Sequence, residues 1–336
     1  MRKRITWIDM AKGYGSLLVI YGHIDRYSVL GEWLYTFHVP LFFILSGYMF
    51  NGECNFNEFF RKKVKSMIIP YICLGIPMVS FWAIGEVISG KLNWKGGVFT
   101  VIRFVFVQNR IWTLWFLACL FLLNILFYFA VKYIKKDIFL AIFAIILAIL
   151  GLMYYELGGQ PLVWNADVCL TAFPFFFIGY MLRKNPDVLN KISGKTRSSI
   201  LWFIACLTVN IVCSYCSYRI SGKGLDMYES SYGVPLLVYI AAVTGTMCVI
   251  ILARWFDIGI VRYIGQNSII YFAWHQTIAI PIVAGLFSLV GFVLPSNAGM
   301  LITCIYTILQ IVVICVLITI CNEIILKSQF RFILGK

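Results

Sequence analysis

Stretches of about twenty consecutive apolar residues recur along the whole of this 336-residue chain. That recurrence decides the fold class before any other feature is weighed. In hydrocarbon every backbone amide must find its partner within its own segment, so a run of that length is read as a spanning α-helix. Suitable runs lie near 8–26, 33–51, 67–90, 112–133, 138–156, 165–182, 198–217, 233–254, 267–288 and 299–324. The expectation is an all-α, polytopic membrane helix bundle of about ten transmembrane helices, organised as a single domain over residues 1–336. The first two runs are short and carry polar residues. VFTVIRFVFVQNR, residues 98–110, is apolar but too short and basic to span, and is expected to lie in the interface or re-enter the membrane. Hydrophobic residues form 61% of the chain and charged residues 12%, about half the charge content of an ordinary soluble domain. No polar segment is long enough to fold alone, so chemistry must take place inside the bundle or at its faces.

Lysine and arginine set the orientation. With ten spans both termini share one side. On that side fall Arg2, Lys3, Arg4, Arg61, Lys62, Lys63, Lys65, Lys132, Lys135, Lys136, Arg183, Lys184, Lys191, Lys195, Arg197, Arg254, Arg262, Lys327, Arg331 and Lys336, most of the 28 basic residues. Arg26, Lys91, Lys95, Arg103, Arg110, Arg219 and Lys223 fall on the other. Both termini are therefore expected in the cytoplasm. The net charge of +14 suits loops facing an anionic leaflet, worth about 1 kcal/mol per basic residue, and calls for no nucleic acid. The N-terminal MRKRITWIDMAKG lacks the small-residue cleavage site of a secretory signal. Nearly all of the 11 cysteines sit inside expected spans, where cysteine packs as a small hydrophobe. Cys213 and Cys216 form a CxxC with no His or carboxylate at ligand spacing, so packing is favoured and no metal is expected.

The chain has only three histidines, His23, His38 and His275, each within or beside an apolar segment. A titratable ring in hydrocarbon is costly unless it faces a bundle interior or a wet cavity, which makes each a candidate functional residue. Histidine is also the side chain matched to proton transfer near neutral pH. The first helix gathers the most such residues: Asp9, Lys12 and His23, with Gly13, Gly15, Ser16 and Gly22 between them. Eleven residues separate Lys12 from His23, three turns plus roughly 20°, so both share one stripe about 16 Å apart. Asp9 falls within ion-pair reach of Lys12 on that stripe. The small residues either leave a groove or admit another helix closely.

At these residues the chain resembles the acyltransferase-3 membrane family, particularly its fucose 4-O-acetylase-like branch. IDMAKGYGSLLVIYGHI contains K-x10-H and is similar to the family's R/K-x10-H signature. FHVPLFFILSGYMF at 37–50, RKKVKSMIIPY at 61–71, LWFLACLF at 114–121, FPFFFIGYMLRK at 173–184 and IGQNSIIYFAWHQ at 264–276 resemble its further motifs, six in order over nearly the whole chain.

The resemblance implies an integral membrane O-acyltransferase of the cell membrane. It would take an acyl group, acetyl in most cases, from cytoplasmic acyl-CoA and deliver it to a carbohydrate hydroxyl at the outer face. Carried over residue by residue, Lys12 handles the donor and His23 catalyses, as general base or through an acyl-histidine. Asp9 would orient Lys12. His38, at the depth of His23, would complete the catalytic pair, orient the acceptor or bond locally. His275, expected by depth to lie farther from His23 than His38 does unless the ninth helix is broken or tilted, would line the donor path or brace the core. Trp115, Glu156 and Asp167 are the acceptor-binding candidates, the last two beside GGQPLVWN. The expected partners are acyl-CoA, a glycan or lipid-linked sugar, and membrane lipids. The alternative is a transporter of the same fold type for a small solute such as serine, although no repeat relates the two halves.

A fluorescent reporter fused after Lys336 and a phosphatase reporter inserted in the 157–163 loop are both expected to be active. The reverse pattern would contradict the orientation.

Overall fold

The structure, a computed structural model, describes residues 4–26, 28–91, 94–108, 110–295 and 298–335. Arg2, Lys3, Lys336 and the Lys95 side chain, assigned to faces by sequence, lie outside the described residues. All ten expected segments are helical. In chain order the helices are α1 Thr6–Ile24, α2 Val29–Tyr35, α3 His38–Tyr48, α4 Phe56–Lys63, α5 Ile69–Ile88, α6 Trp94–Ile102, α7 Trp115–Tyr133, α8 Asp137–Glu156, α9 Ala166–Lys184, α10 Pro186–Ser193 and α11 Arg197–Ser221. A two-stranded antiparallel ribbon follows, β1 Leu225–Asp226 with β2 Ser231–Tyr232. Then come α12 Pro235–Trp255, α13 Gly259–Gln266, α14 Ser268–Trp274, α15 Ile280–Leu289 and α16 Met300–Lys327. The bundle thus has a basic end, where α4 and α10 lie, and a ribbon end.

Among the described residues nine helices, counting continuous runs, are long and apolar enough to cross a membrane. α1 is 19 residues long but falls outside that set, because Asp9, Lys12, His23 and its glycines dilute its apolar content. The packing explains why this is tolerable. α1 lies against α2, α3, α12, α13, α14 and α16, and Ile8, Met10, Ala11, Val19, Ile20 and Tyr21 are buried along it. A helix enclosed by protein need not be lipid-compatible on its own. α8, α11 and α16 do the opposite and present exposed Ile, Leu and Val outward.

The second expected span, 33–51, is broken into α2 and α3 at Thr36–Phe37, where Phe37 leaves helical geometry at φ −141°. Pro40 has no N–H to offer the Thr36 carbonyl, so the ladder is interrupted there. Thr36 Oγ1 turns back to donate to the Trp33 carbonyl at 2.7 Å. The ninth span also departs from a plain helix. A π turn over His275–Ala279 joins α14 to α15, and α13 precedes it as a separate helix in a stretch that reads as a basic loop. Of the stretch 98–110, in which Asn109 lies outside the described residues, residues 98–108 form the end of α6 and a π turn, Arg103–Val107, closing on a left-handed Gln108. Phe104 from that turn is buried and stacks on Tyr71 at 5.2 Å.

Two helix crossings are set by glycines within the motifs. A methyl group on Gly47 would collide with the Phe176 carbonyl, and one on Gly179 with the Ile44 carbonyl, so α3 and α9 meet backbone to backbone. Gly13 faces the Val261 carbonyl and Gly265 the Asp9 carbonyl in the same manner, which seats α13 on α1. By contrast, Gly285 has open space around it.

Gly179→Ala is expected to lower stability by about 1–3 kcal/mol through overpacking, seen as a lower melting temperature of the detergent-purified protein. Gly285→Ala is expected to leave the melting temperature unchanged or raise it, since alanine favours a helix over glycine.

Candidate functional site

The three histidines converge. His23 and His275 have ring centroids 4.9 Å apart. Tyr35 bridges to the third: its hydroxyl lies 3.3 Å from His23 Nδ1, and its ring meets that of His38 edge-on at 4.5 Å. Phe272 adds an apolar wall, 6.2 Å from His275 and 5.0 Å from Phe116.

The expected separation of His275 from His23 is therefore corrected. The close contact of Gly265 with Asp9 and Gly13 sets the register of the two segments. Ten residues beyond Gly13 is His23, and ten beyond Gly265 is His275, so the two rings rise by the same amount, roughly 15 Å. The rise toward His275 starts in α13, which already runs beside α1 before α14 begins. The π turn beginning at His275 then swings the chain, a feature that often marks functional positions in helices. Thr113 Oγ1 donates to the Ala273 carbonyl at 2.8 Å and so satisfies one acceptor at this junction.

Backbone carbonyls fix two of the tautomers. His275 Nδ1 lies 3.0 Å from the Tyr271 carbonyl and 2.9 Å from that of Phe272, and His38 Nδ1 lies 2.8 Å from the Leu34 carbonyl. A carbonyl only accepts, so both Nδ1 atoms carry the proton and both Nε2 atoms present a lone pair. Among the described residues the His275 Nε2 is buried without a hydrogen-bond partner.

Lys12 and Asp9 stand at the other end of the stripe, but no salt bridge joins them. Lys12 is half-buried, and Arg4 and Lys63 are the cations whose fields reach it. The small residues of α1 serve close packing: Gly13 against Val261, Gly15 against Leu41 and Phe42, and Gly22 against Tyr35, whose Cε2 would stand 3.1 Å from an added methyl.

The acceptor-binding candidates separate. Trp115 is buried at the start of α7, at the ribbon end, with the Tyr228 ring 5.9 Å away. Glu156 is exposed at the last residue of α8. Asp167 is buried and occupied instead of facing solvent. It pairs with Arg110, accepts from the Leu162 amide at 3.1 Å and lies within reach of Ser230 at 3.5 Å.

Sequence reasoning missed Arg110, Ser230, Tyr35, Arg26 and Asp226. Arg110 joins Asp167 and Ser230, while its amide donates to Asn165 Oδ1 at 2.9 Å. Gln108, Arg110, Trp112, Trp164, Asn165 and Ser230 all have positive φ, a strained cluster that nothing in QNRIW or VWN announces. Arg26 pairs with Glu32 at 2.7 Å and Asp226 at 3.0 Å, and its guanidinium lies 3.6 Å over the Tyr35 ring. Burial pushes the Asp226 carboxyl up from its ordinary range, with Arg26 opposing that shift.

The family model described as an acyltransferase domain matches residues 5–320. Nodulation protein NolL of Sinorhizobium fredii (strain NBRC 101917 / NGR234) is 26% identical over 221 residues, covering 59% of this chain and 55% of that protein. The chain thus spans about half the length of the curated relative it matches. No solved structure matches.

Asp167→Asn is expected to cost about 3–5 kcal/mol, because it leaves the Arg110 charge buried and unpaired. Replacing both residues with apolar side chains of similar volume is expected to recover most of that loss, which paired unfolding measurements would register.

Proposed function

The chain belongs to the acyltransferase domain family that matches it over residues 5–320, and on that premise we propose that it moves an acyl group, acetyl in the simplest case, from cytoplasmic acyl-CoA to a carbohydrate hydroxyl at the outer face of the cell membrane. The observation that carries this reading is the convergence of His23, His38 and His275 at the far end of a stripe that starts at Lys12. Lysine is a compact point charge suited to a phosphate of the donor, and Lys12 has no ion-pair partner among the described residues, so its ammonium is free for that task. Its distance from His23, about 16 Å along the helix, matches a donor with an anionic head and a long arm. Arg4 and Lys63 reinforce the positive field at that end.

The reaction balances around His23. Its ring takes the proton of the sugar hydroxyl while that oxygen attacks the thioester carbonyl. The carbon–sulfur bond breaks, and the CoA thiolate then takes the proton from the imidazolium. A base so placed supplies about 10²–10⁴-fold. His38, its Nδ1 anchored on Leu34, holds Tyr35 against His23 from the other side. His275 lines the path along which the acyl group arrives. Trp115, at the ribbon end, lies where a sugar ring would approach. Exposed Glu156 has a weaker claim to the acceptor, and Asp167 supports that face through Arg110.

Protein in lipid nanodiscs with acetyl-CoA and a glycan acceptor is expected to release CoA, measured by chromatography and mass spectrometry. His23→Ala should lower the rate by about 10²–10⁴-fold, and Lys12→Gln should raise the donor KM more than it lowers kcat. Equal rates for wild type and His23→Ala would overturn the assignment. Serine uptake into vesicles without any CoA requirement would favour a transporter instead.

A further inference from the structure

Tyr35 stands between His23 and His38, buried at the last residue of α2. Its ring is held from several sides. The Arg26 guanidinium lies 3.6 Å over the ring, and the His38 ring meets it edge-on at 4.5 Å. Gly22 leaves the room in which the ring closes on α1, since a methyl group there would stand 3.1 Å from Tyr35 Cε2. Arg26 is itself fixed, by Glu32 at 2.7 Å and Asp226 at 3.0 Å. The outcome of this clamping is a hydroxyl set 3.3 Å from His23 Nδ1. Among the described residues that hydroxyl is the hydrogen-bond partner His23 has, and the His23 side chain is only half-buried. One ring nitrogen is committed, and Nε2, across the ring, is not.

A general base needs a lone pair where the substrate hydroxyl arrives. Neutral imidazole has one lone pair and one N–H, so the choice of protonated nitrogen decides whether His23 can act. Resting on the general-base reading of His23, we propose that Tyr35 is a positioning residue for acyl transfer: its hydroxyl oxygen accepts a hydrogen bond from the Nδ1–H of His23, which leaves Nε2 as the nitrogen that takes and returns the proton. The sugar O–H bond breaks as its proton passes to Nε2, and the oxygen bonds to the acyl carbon. The carbon–sulfur bond breaks with its electron pair going to sulfur, and the thiolate then takes the proton from Nε2. Nδ1 keeps its hydrogen throughout, and Tyr35 exchanges none, because a phenol oxygen accepts while its own proton points elsewhere. Charge-assisted bonds are shorter and roughly twice as strong as neutral ones. The contact therefore tightens as the imidazolium forms and favours the transition state over the resting enzyme. A length of 3.3 Å suits the resting state, where catalytic hydrogen bonds are often long. Glu32 and Asp226 offset the guanidinium charge that clamps the ring, a charge that would otherwise oppose an imidazolium nearby.

Kinetics and a spectroscopic signature together test this. With three histidines in the chain, ¹⁵N-histidine labelling of the full-length protein in nanodiscs yields three assignable imidazoles. The resting His23 is expected as the Nδ1–H tautomer, and an Nε2–H tautomer overturns the proposal whatever the activity. Tyr35→Phe keeps the ring between Arg26 and His38 and removes only the hydroxyl. It is expected to lower kcat about ten- to a hundredfold, the loss of one charge-assisted bond, with the donor KM within about twofold. In the same variant the Nε2–H tautomer of His23 is expected to appear, since nothing then holds the proton on Nδ1. If Tyr35→Phe matches wild type while His23→Ala is inactive, this inference fails and the reading of His23 stands. If His23→Ala is itself fully active, the reading of His23 fails first. A loss of kcat in Tyr35→Phe with His23 still wholly Nδ1–H marks Tyr35 as a packing residue and overturns the proposal.

Discussion

The enclosure of α1 is the constraint on which the rest of the structure depends. A helix bearing Asp9, Lys12 and His23 cannot face lipid without a large desolvation cost, so it must be surrounded by protein along its length. Surrounding it requires helices to approach closely, and close approach requires glycine at the crossings. Gly13 and Gly265 meet the opposing backbone at one end, and Gly22 admits Tyr35 at the other. The same contacts that make the helix tolerable in a membrane set the register that brings His275 beside His23. Burial of α1 and assembly of the site are one event.

The ribbon end is built differently. Arg26 ties Glu32, Asp226 and the Tyr35 ring together, while Arg110 ties Asp167, Ser230 and Asn165. Each arginine sits in a mostly buried polar network, and such networks specify one arrangement strongly because a half-satisfied member is costly. Six non-glycine residues with positive φ mark these loops, strain that persists only where the surroundings over-determine the backbone. The Arg26 network reaches the Tyr35 ring and, through the Tyr35 hydroxyl, His23.

Legibility in the sequence followed the range of the interaction. Most of the spanning helices are a local consequence of apolar length, and the ten expected segments appeared as helix close to their bounds, the second and ninth of them interrupted. The shared stripe of Lys12 and His23 follows from helix pitch alone. The break at Thr36–Phe37 was also written locally, in Pro40, but was hidden inside an apolar run that satisfied the length rule. Asp9 and Lys12 lay at ion-pair spacing on one helix, yet no salt bridge forms, because spacing sets only what is within reach. The carboxylate of Asp167 read as an acceptor-binding candidate and not as half of an ion pair, since its partner, Arg110, lies 57 residues away in the chain.

The sequence by itself determined that this is a membrane helix bundle and that His23 and Lys12 share a face, because hydrocarbon forbids unpaired backbone and a helix has a known pitch. Its ordered motifs pointed to the acyltransferase family, which the comparison with known families then established. Only the tertiary structure decided that three histidines from three segments converge, His23 and His38 on Tyr35 and His275 on His23, and that the ring of His275 points its lone pair away from its own helix. Those facts depend on which glycine sits under which carbonyl, a long-range steric relation that no local pattern encodes.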